Sequence, residues 1–275
     1  MKKIIAAFLT LALLLSLSAC GFDPLFFLKK GIGDLPADEA MARVSENMKE
    51  IQSLKMDGSM EIEMSAMGIT VSLKTDYKVE QIVSPKQTHM LMTMDMGALG
   101  GKQEAESYTL VDDDKYAVYT KVEDEWTKTS SELPLAAFEE ASVYMDAVAS
   151  YERIGKEKIN GEDTIHFSGI IAQDKIAEIF EKSEFLSNFS NLGIDFSSLT
   201  ESDGLGNIVF DVWASEKEGL IVRTSLDMTE FMSNLFAASG VGDQIDIEKV
   251  NTVCDYSGYN TVTEITLPEE ARQAK

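Results

Sequence analysis

The chain is short of nearly everything that marks a metal centre, a nucleophilic enzyme or a nucleic-acid interface. It has only two histidines, His89 and His166, and two cysteines, Cys20 and Cys254. Neither histidine has a helical i, i+4 partner or a nearby cysteine, so the ligand spacing of a zinc site is missing. Two cysteines give no disulfide framework and no paired CxxC site. No G-x-S-x-G elbow and no P-loop occurs, and acidic pairs arise by chance among 47 carboxylates. Asp112-Asp113-Asp114 lacks the spacing of a calcium loop and reads as a turn. The expectation is therefore a non-enzyme with no catalytic residue, no metal and no cofactor.

Basic side chains are also scarce. Lysine and arginine number 24 against 47 acidic residues, a formal charge of −23. Such a surface repels phosphate backbones and offers no basic patch to anionic headgroups, which removes nucleic acid from the partners. The plain consequence of the acidity is solubility. Five prolines and 18 glycines in 275 residues leave no room for a fibrous or low-complexity chain. A hydrophobic fraction of 44% can form a core. The length suits one large β-rich domain or two small ones.

Long apolar runs are absent except at the start. Lys2 and Lys3 precede an uncharged apolar stretch from Ile4 to Ala19. A spanning helix needs roughly 20 apolar residues, so this run fits a cleaved export signal better. It closes on Leu17-Ser18-Ala19-Cys20, which looks like a bacterial lipobox: a leucine, two small residues for a narrow peptidase cleft, and a thiol that accepts diacylglycerol. Two acyl chains satisfy the two-signal rule for stable anchoring. Cleavage before Cys20 removes both lysines and leaves a net charge of 22 − 47, or −25. Cys254 is then a lone thiol, expected as a small buried apolar residue. Residues 20–36 read as a lipidated tether interrupted by Gly31, Gly33 and Pro36. Within it, Leu25-Phe26-Phe27-Leu28 is apolar enough either to lie in the membrane interface or to pack on the body.

The body opens with a helix predicted at about 37–54. Ala37, Met41, Val44, Met48 and Ile51 form one stripe at intervals of four and three. Period-two alternation follows, first in Met56, Gly58, Met60, Ile62 and Met64. After a turn at Met67-Gly68 it continues in Ile69, Val71, Leu73, Tyr77 and Val79, then in Met90, Met92, Met94 and Met96. These are antiparallel strands wet on one face. Further strands are expected at 104–111, 115–122 and around Trp126. A helix at 134–149 has Leu135, Phe138, Val143 and Met145 inward. A strand pair at 151–159 and 163–171 turns through Asn160-Gly161. A helix at 173–186 and a polar stretch to Gly206 come next. Two more strands have Ile208, Phe210, Val212 and Ala214, and Leu220, Val222, Leu226 and Met228, inward. A helix at 229–239 and a final strand pair at 245–256 and 261–267 end the chain. No repeat period appears.

Methionine is the sharpest local feature. Of 14 in the chain, Met56, Met60, Met64, Met67, Met90, Met92, Met94 and Met96 crowd three strands. An unbranched, polarisable side chain repacks around variable shapes and suits a floppy hydrocarbon ligand. It equally fills a core between sheet and helix, and the pattern leaves both readings open.

The order of elements resembles the LolA/LppX-like lipoprotein superfamily, in its Gram-positive branch of uncharacterised lipoproteins. The likeness is carried by the helix-to-strand passage from Met48 through Ser53-Leu54-Lys55-Met56 to Met60, by the hairpin from Tyr151 through Asn160-Gly161 to Thr164, and by the ending Val262-Thr263-Glu264-Ile265-Thr266-Leu267-Pro268 up to Ala271. It covers most of the mature chain and contains no catalytic or metal signature. The resemblance implies an α+β fold: a strongly curved antiparallel sheet, a half-open barrel, with helices over its concave face. It also implies a cavity for acyl chains or whole lipids. Residues placed to line it would be Met60, Ile62, Met64, Val71, Leu73, Tyr77, Met90, Met92 and Met94, with Phe210 and Val222. The expectation is a signal peptide (1–19), a tether (20–36) and one domain (37–275). It would be a monomer on the outer face of the cell membrane, held by the diacylglycerol, binding a lipid or other hydrophobic ligand. A non-catalytic module for an envelope protein partner, with no ligand cavity, is the alternative.

Overall fold

A computed structural model of the chain describes residues 31–66, 68–97, 100–112, 115–131, 137–182, 205–238 and 245–274. Cys20, the lipobox residues Leu17, Ser18 and Ala19, and the apolar run 25–28 lie outside the described residues, as do Met67 and Leu135 and the side chain of Phe138.

The first helix, α1 (Ala37–Lys49), buries Met41, Val44 and Met48 of the expected stripe and Ala40 beside it, while Ala37 is half-buried. Asp38 and Glu39 in the first turn and Lys49 in the last match the helix dipole. It stops well short of residue 54, because Ser53 already begins a strand and the backbone N–H of Ile51 bonds the Met48 carbonyl in a closing turn.

Strands β1 (Ser53–Ala66), β2 (Ile69–Ile82), β3 (Gln87–Asp95), β4 (Lys102–Asp112), β5 (Lys115–Val122) and β6 (Glu125–Ser131) run as a meander. Helix α2 (Ala137–Ala147) separates them from β7 (Val148–Ile159) and β8 (Glu162–Ile171). Then come α3 (Gln173–Lys182), β9 (Val209–Ser215), β10 (Ile221–Asp227), α4 (Thr229–Ala238) and β11 (Ile245–Ser257). All strands join one 11-stranded sheet in the order β6-β5-β4-β3-β2-β1-β11-β10-β9-β8-β7, with every pair antiparallel. The sheet does not close, since β6 and β7 are its two edges. Register shifts at Glu63/Met64, Ile221/Arg223, Val148/Tyr151 and Arg153/Gly155 bend it. The result is an open, bent antiparallel sheet packed against helices.

The predicted strand at 261–267 does not form. Both ladders of β11 are already taken, by β1 and β10, so no edge remains for a further strand there. Gly258 and Asn260, at φ of +57° and +59°, turn the chain away. Asn260 and Val262 are then tied to Ser53 through their backbone N–H groups. The segment runs on irregularly, and Ile265, Leu267 and Ala271 bury themselves against Tyr108 in a small second cluster.

The main core lies between the sheet and the helices. Ile165, Phe167, Phe210, Val212 and Ala214 of β8 and β9 meet Phe231, Met232 and Leu235 of α4 and Ile176 of α3. Met145, expected inward, is buried; Val143 is half-buried against the same core. The segment read as the end of the tether also joins this body. Ile32 is fully buried, and its N–H donates to the Glu216 carbonyl at 3.0 Å. The Arg153 guanidinium bonds the carbonyls of Gly33 and Leu35, and Asp38 caps the backbone N–H of Tyr151. The edge strand β7 is therefore covered by the chain entering the domain, which blunts an open ladder.

Candidate functional site: an apolar sheet face and its charged reverse

Register decides which side chains share a face, because opposed residues of neighbouring strands point the same way. Gly58 opposes Tyr77, Tyr77 opposes Met92, and Met92 opposes Ala105. One step along, Met60 opposes Thr75 and Thr75 opposes Met94; beyond lie the pairs Ile62–Leu73 and Met64–Val71. In the other direction Met56, Val79 and Met90 form a row. The structure thus brings Met60, Ile62, Met64, Val71, Leu73, Tyr77, Met90, Met92 and Met94 onto one continuous face of β1–β3. All are half-buried. Ile62, Met64, Tyr77 and Met90 touch the main core, so the face is continuous with it.

Phe210 continues the row of Met60 across Thr252 and Leu226, and so lies on the same sheet face, but it is more deeply buried than the methionines. Phe210 is 1% exposed, set in the closed core with its ring 5.7 Å from that of Tyr144. Val222 is buried at the bulge of β10.

At the centre of that face Tyr77 lies across Gly58. Its hydroxyl is 2.8 Å from Cys254 Sγ on β11. A Cβ on Gly58 would run into the Tyr77 ring. Cys254 is thus the buried thiol expected, but it touches a residue of the candidate face.

Pattern reasoning passed over the polar end of this face. Gln81 and Thr88 oppose each other on β2 and β3, in the same alternation as Tyr77 and Met90. They are 1% and 6% exposed. Thr109, opposite Thr88 on β4, is also buried. The signal was available, since period two from Met90 reaches Thr88 and from Tyr77 reaches Gln81.

The reverse face is charged. Along it run Lys55–Glu80 at 2.6 Å, Lys78–Asp57 at 4.0 Å and Lys102–Asp95 at 3.8 Å. A depression of about 1140 Å³ crosses β1–β5 here. Its walls are two rows of residues, Asp57, Lys78, Leu91 and Glu106 on one side and Asp76, Thr93 and Glu104 on the other. Between them the row of Gly58, Tyr77, Met92 and Ala105 points its side chains the opposite way and so floors the depression with main chain. Tyr77 and Met92 therefore border both faces.

Both histidines sit on this reverse face, His166 as expected. His89 stacks on Tyr108 at 4.3 Å and bonds Glu106 at 2.9 Å; Tyr108 donates its hydroxyl to the same carboxylate. Burial, with the Glu106 hydrogen bond and charge, pushes the Tyr108 phenol well above its ordinary pKa. His166 stacks on Trp213 at 4.1 Å and lies 3.1 Å from Asp211; Glu157 accepts from the Trp213 indole. Arg223 grips Asp255 with two bonds of 2.6 and 2.8 Å, which holds that carboxyl below its usual range. Among the described residues, no group of three or more histidines, cysteines and carboxylates is arranged to hold a metal ion. None of their helices is long and apolar enough to cross a membrane.

A family of unknown function (DUF6612) matches residues 36–155. No curated protein is significantly similar in sequence. Among solved structures the chain is similar to the lipoprotein LppX of Mycobacterium tuberculosis, at 14% identity and a TM-score of 0.47 over 83% of this chain and 99% of that one. It is similar also to LprF of Mycobacterium bovis, at 14% identity and a TM-score of 0.48 over 86% of this chain and 98% of that one.

Proposed function

We propose that the protein is an extracytoplasmic lipoprotein of the Gram-positive LolA/LppX-like branch, moored through a diacylglycerol on Cys20, that binds a lipid or other hydrophobic ligand on the methionine face. One observation carries the reading. From Met60 to Met94 a mostly methionine surface, interrupted by the buried Thr75, is less sealed than the Phe167–Phe210 core although it faces the same side of the sheet. A sheet face that only closes a core is buried; one that only meets water is polar. Methionine in the intermediate state adapts to a chain of variable shape. Each methylene of a bound acyl chain removed from water contributes about 0.8 kcal/mol, so about ten enclosed methylenes supply roughly 8 kcal/mol before the cost of association is subtracted. The site does not need catalytic groups, and the ligand is carried or sensed.

Native mass spectrometry of the mature protein should show a retained amphiphile. A fluorescent fatty-acyl probe should bind, and Leu73→Lys or Met94→Lys should weaken it at least tenfold while leaving the far-UV circular dichroism unchanged. A wild-type protein that neither retains an amphiphile nor binds the probe refutes lipid binding and leaves the protein-partner module. For the anchor, Cys20→Ala should move the protein from the membrane to the soluble fraction and abolish palmitate labelling.

A further inference from the structure

The methionine face has a polar end, and two of its side-chain oxygens lack partners. Gln81 Oε1 and Thr88 Oγ1 are buried, and among the described residues neither has a hydrogen-bond partner. They are direct cross-strand neighbours, so the two atoms mark one place. Leaving a buried polar atom unmet is unfavourable by about 1–3 kcal/mol. Two such atoms side by side in an otherwise well-formed sheet point to something that meets both. Thr88, Met90, Met92 and Met94 succeed each other along one face of β3, a span of roughly 20 Å at the rise of a strand. Polar groups stand at one end of a hydrocarbon-friendly stripe, as an amphiphile would need.

We propose that Gln81 and Thr88 form the head-group subsite of the lipid site, and that the head is neutral and hydroxyl-bearing, as in a monoacylglycerol. This rests on the lipid-binding reading and specifies its ligand class. Gln81 Oε1 can only accept, so the ligand must bring a donor; Thr88 Oγ1 can donate or accept. A hydroxyl does both at once. An ionised carboxylate has no proton to give Gln81, and the strongly negative protein disfavours it further. Lys86, buried two residues before Thr88 in the same alternation, is engaged by an interaction within the chain, although its Nζ, like Gln81 Oε1 and Thr88 Oγ1, makes no hydrogen bond among the described residues. A palmitate competitor therefore tests the head's charge.

The test is competition against a stearate bearing an anthroyloxy fluorophore, using 1-monopalmitoylglycerol, methyl palmitate and palmitate. In wild type, monopalmitoylglycerol should displace the probe at about tenfold lower concentration than either of the others. Gln81→Leu with Thr88→Val should bring monopalmitoylglycerol and methyl palmitate within about twofold while the probe still binds. Thr88→Ser, which keeps the hydroxyl, should retain the preference. Should the double variant lose its circular dichroism, Thr88→Val and Gln81→Met are measured singly, each expected to lose part of the preference. Palmitate binding best in wild type overturns the neutral head. An unchanged preference in the variants overturns the subsite while leaving lipid binding intact. A probe that never binds wild type takes both down.

Discussion

Substituting Gly58 by alanine tests the geometry of the candidate face most directly. The added Cβ would fall 2.5 Å from Tyr77 Oη and overlap the ring carbons next to it. Carbon contacts are comfortable at about 3.5–4.0 Å, so the ring must retreat by roughly 1 Å or more. Its hydroxyl then leaves Cys254 Sγ, 2.8 Å away. Losing that bond is unfavourable by about 0.5–1.5 kcal/mol, and forcing an extra methyl into a packed position by about 1–3 kcal/mol. Against this, replacing glycine in a strand interior recovers about 0.5–1 kcal/mol. The net expectation is a loss of about 1–3 kcal/mol, read from the urea midpoint at constant slope. The Tyr77 ring is the whole obstacle in this account. In a Tyr77→Ala background Gly58→Ala should therefore be neutral or slightly stabilising. Equal destabilisation in both backgrounds would refute the reasoning and place the cost in the backbone of β1.

Other expectations follow from placement. Phe210→Ala should destabilise by about 3–5 kcal/mol because Phe210 is closed in the core, whereas Met94→Ala on the half-buried face should cost about 1 kcal/mol and show mainly as weaker acyl-probe binding. Ile32→Ala should destabilise by about 2–3 kcal/mol in thermal melts, because Ile32 is fully buried; a tether residue would give no change. Asp255→Asn should destabilise by about 1 kcal/mol at neutral pH, since the Arg223 hydrogen bonds stabilise the charged carboxylate of a partly exposed pair. Its folded pKa is depressed, so this stability is present above the unfolded value near 3.9 and disappears as pH falls through the folded one. The gap between wild type and variant should thus be flat from pH 5 to 8 and close on acidification below about pH 4; a gap that widens there would contradict the pairing.

Alternation made most of the sheet legible. The methionine, valine and leucine positions of β1–β3 fell on one face because period two admits little else. The helix stripe of α1 was equally plain, yet its end was not. Ile51 and Leu54 continue the helical spacing, and only the demand of β1 for Ser53 ends the helix early. Sequence could not reveal that β11 would be enclosed on both sides, so 261–267 was given a partner that the topology denies it. Phe210 and Val222 alternate inward like the methionines, and in sequence an inward residue looks the same whether it meets a helix or a ligand. That distinction depends on which strands the helices cover, a long-range fact. Ile32 was lost in the same way, because one isoleucine between two glycines has no periodicity; its burial comes from the chain running close by Glu216.

The two faces of β1–β4 are linked by more than alternation. The ion pairs on the reverse are exposed, with Lys78 and Lys102 at 76% and 71%, so each adds little to stability. Their effect lies in register. Lys78 opposes Asp57 and Leu91, and Lys102 opposes Asp95. A slip of one residue would turn those charges onto the core side and the methionines out to water. Bringing lysine and aspartate against Ile62, Met64 and the core beneath would leave charges without water, at several kcal/mol each. The charged ladder therefore penalises every neighbouring register far more than it stabilises the native one. That penalty is what keeps a row as adaptable as Met90, Met92 and Met94, which would tolerate many packings by itself, on a single face of the sheet.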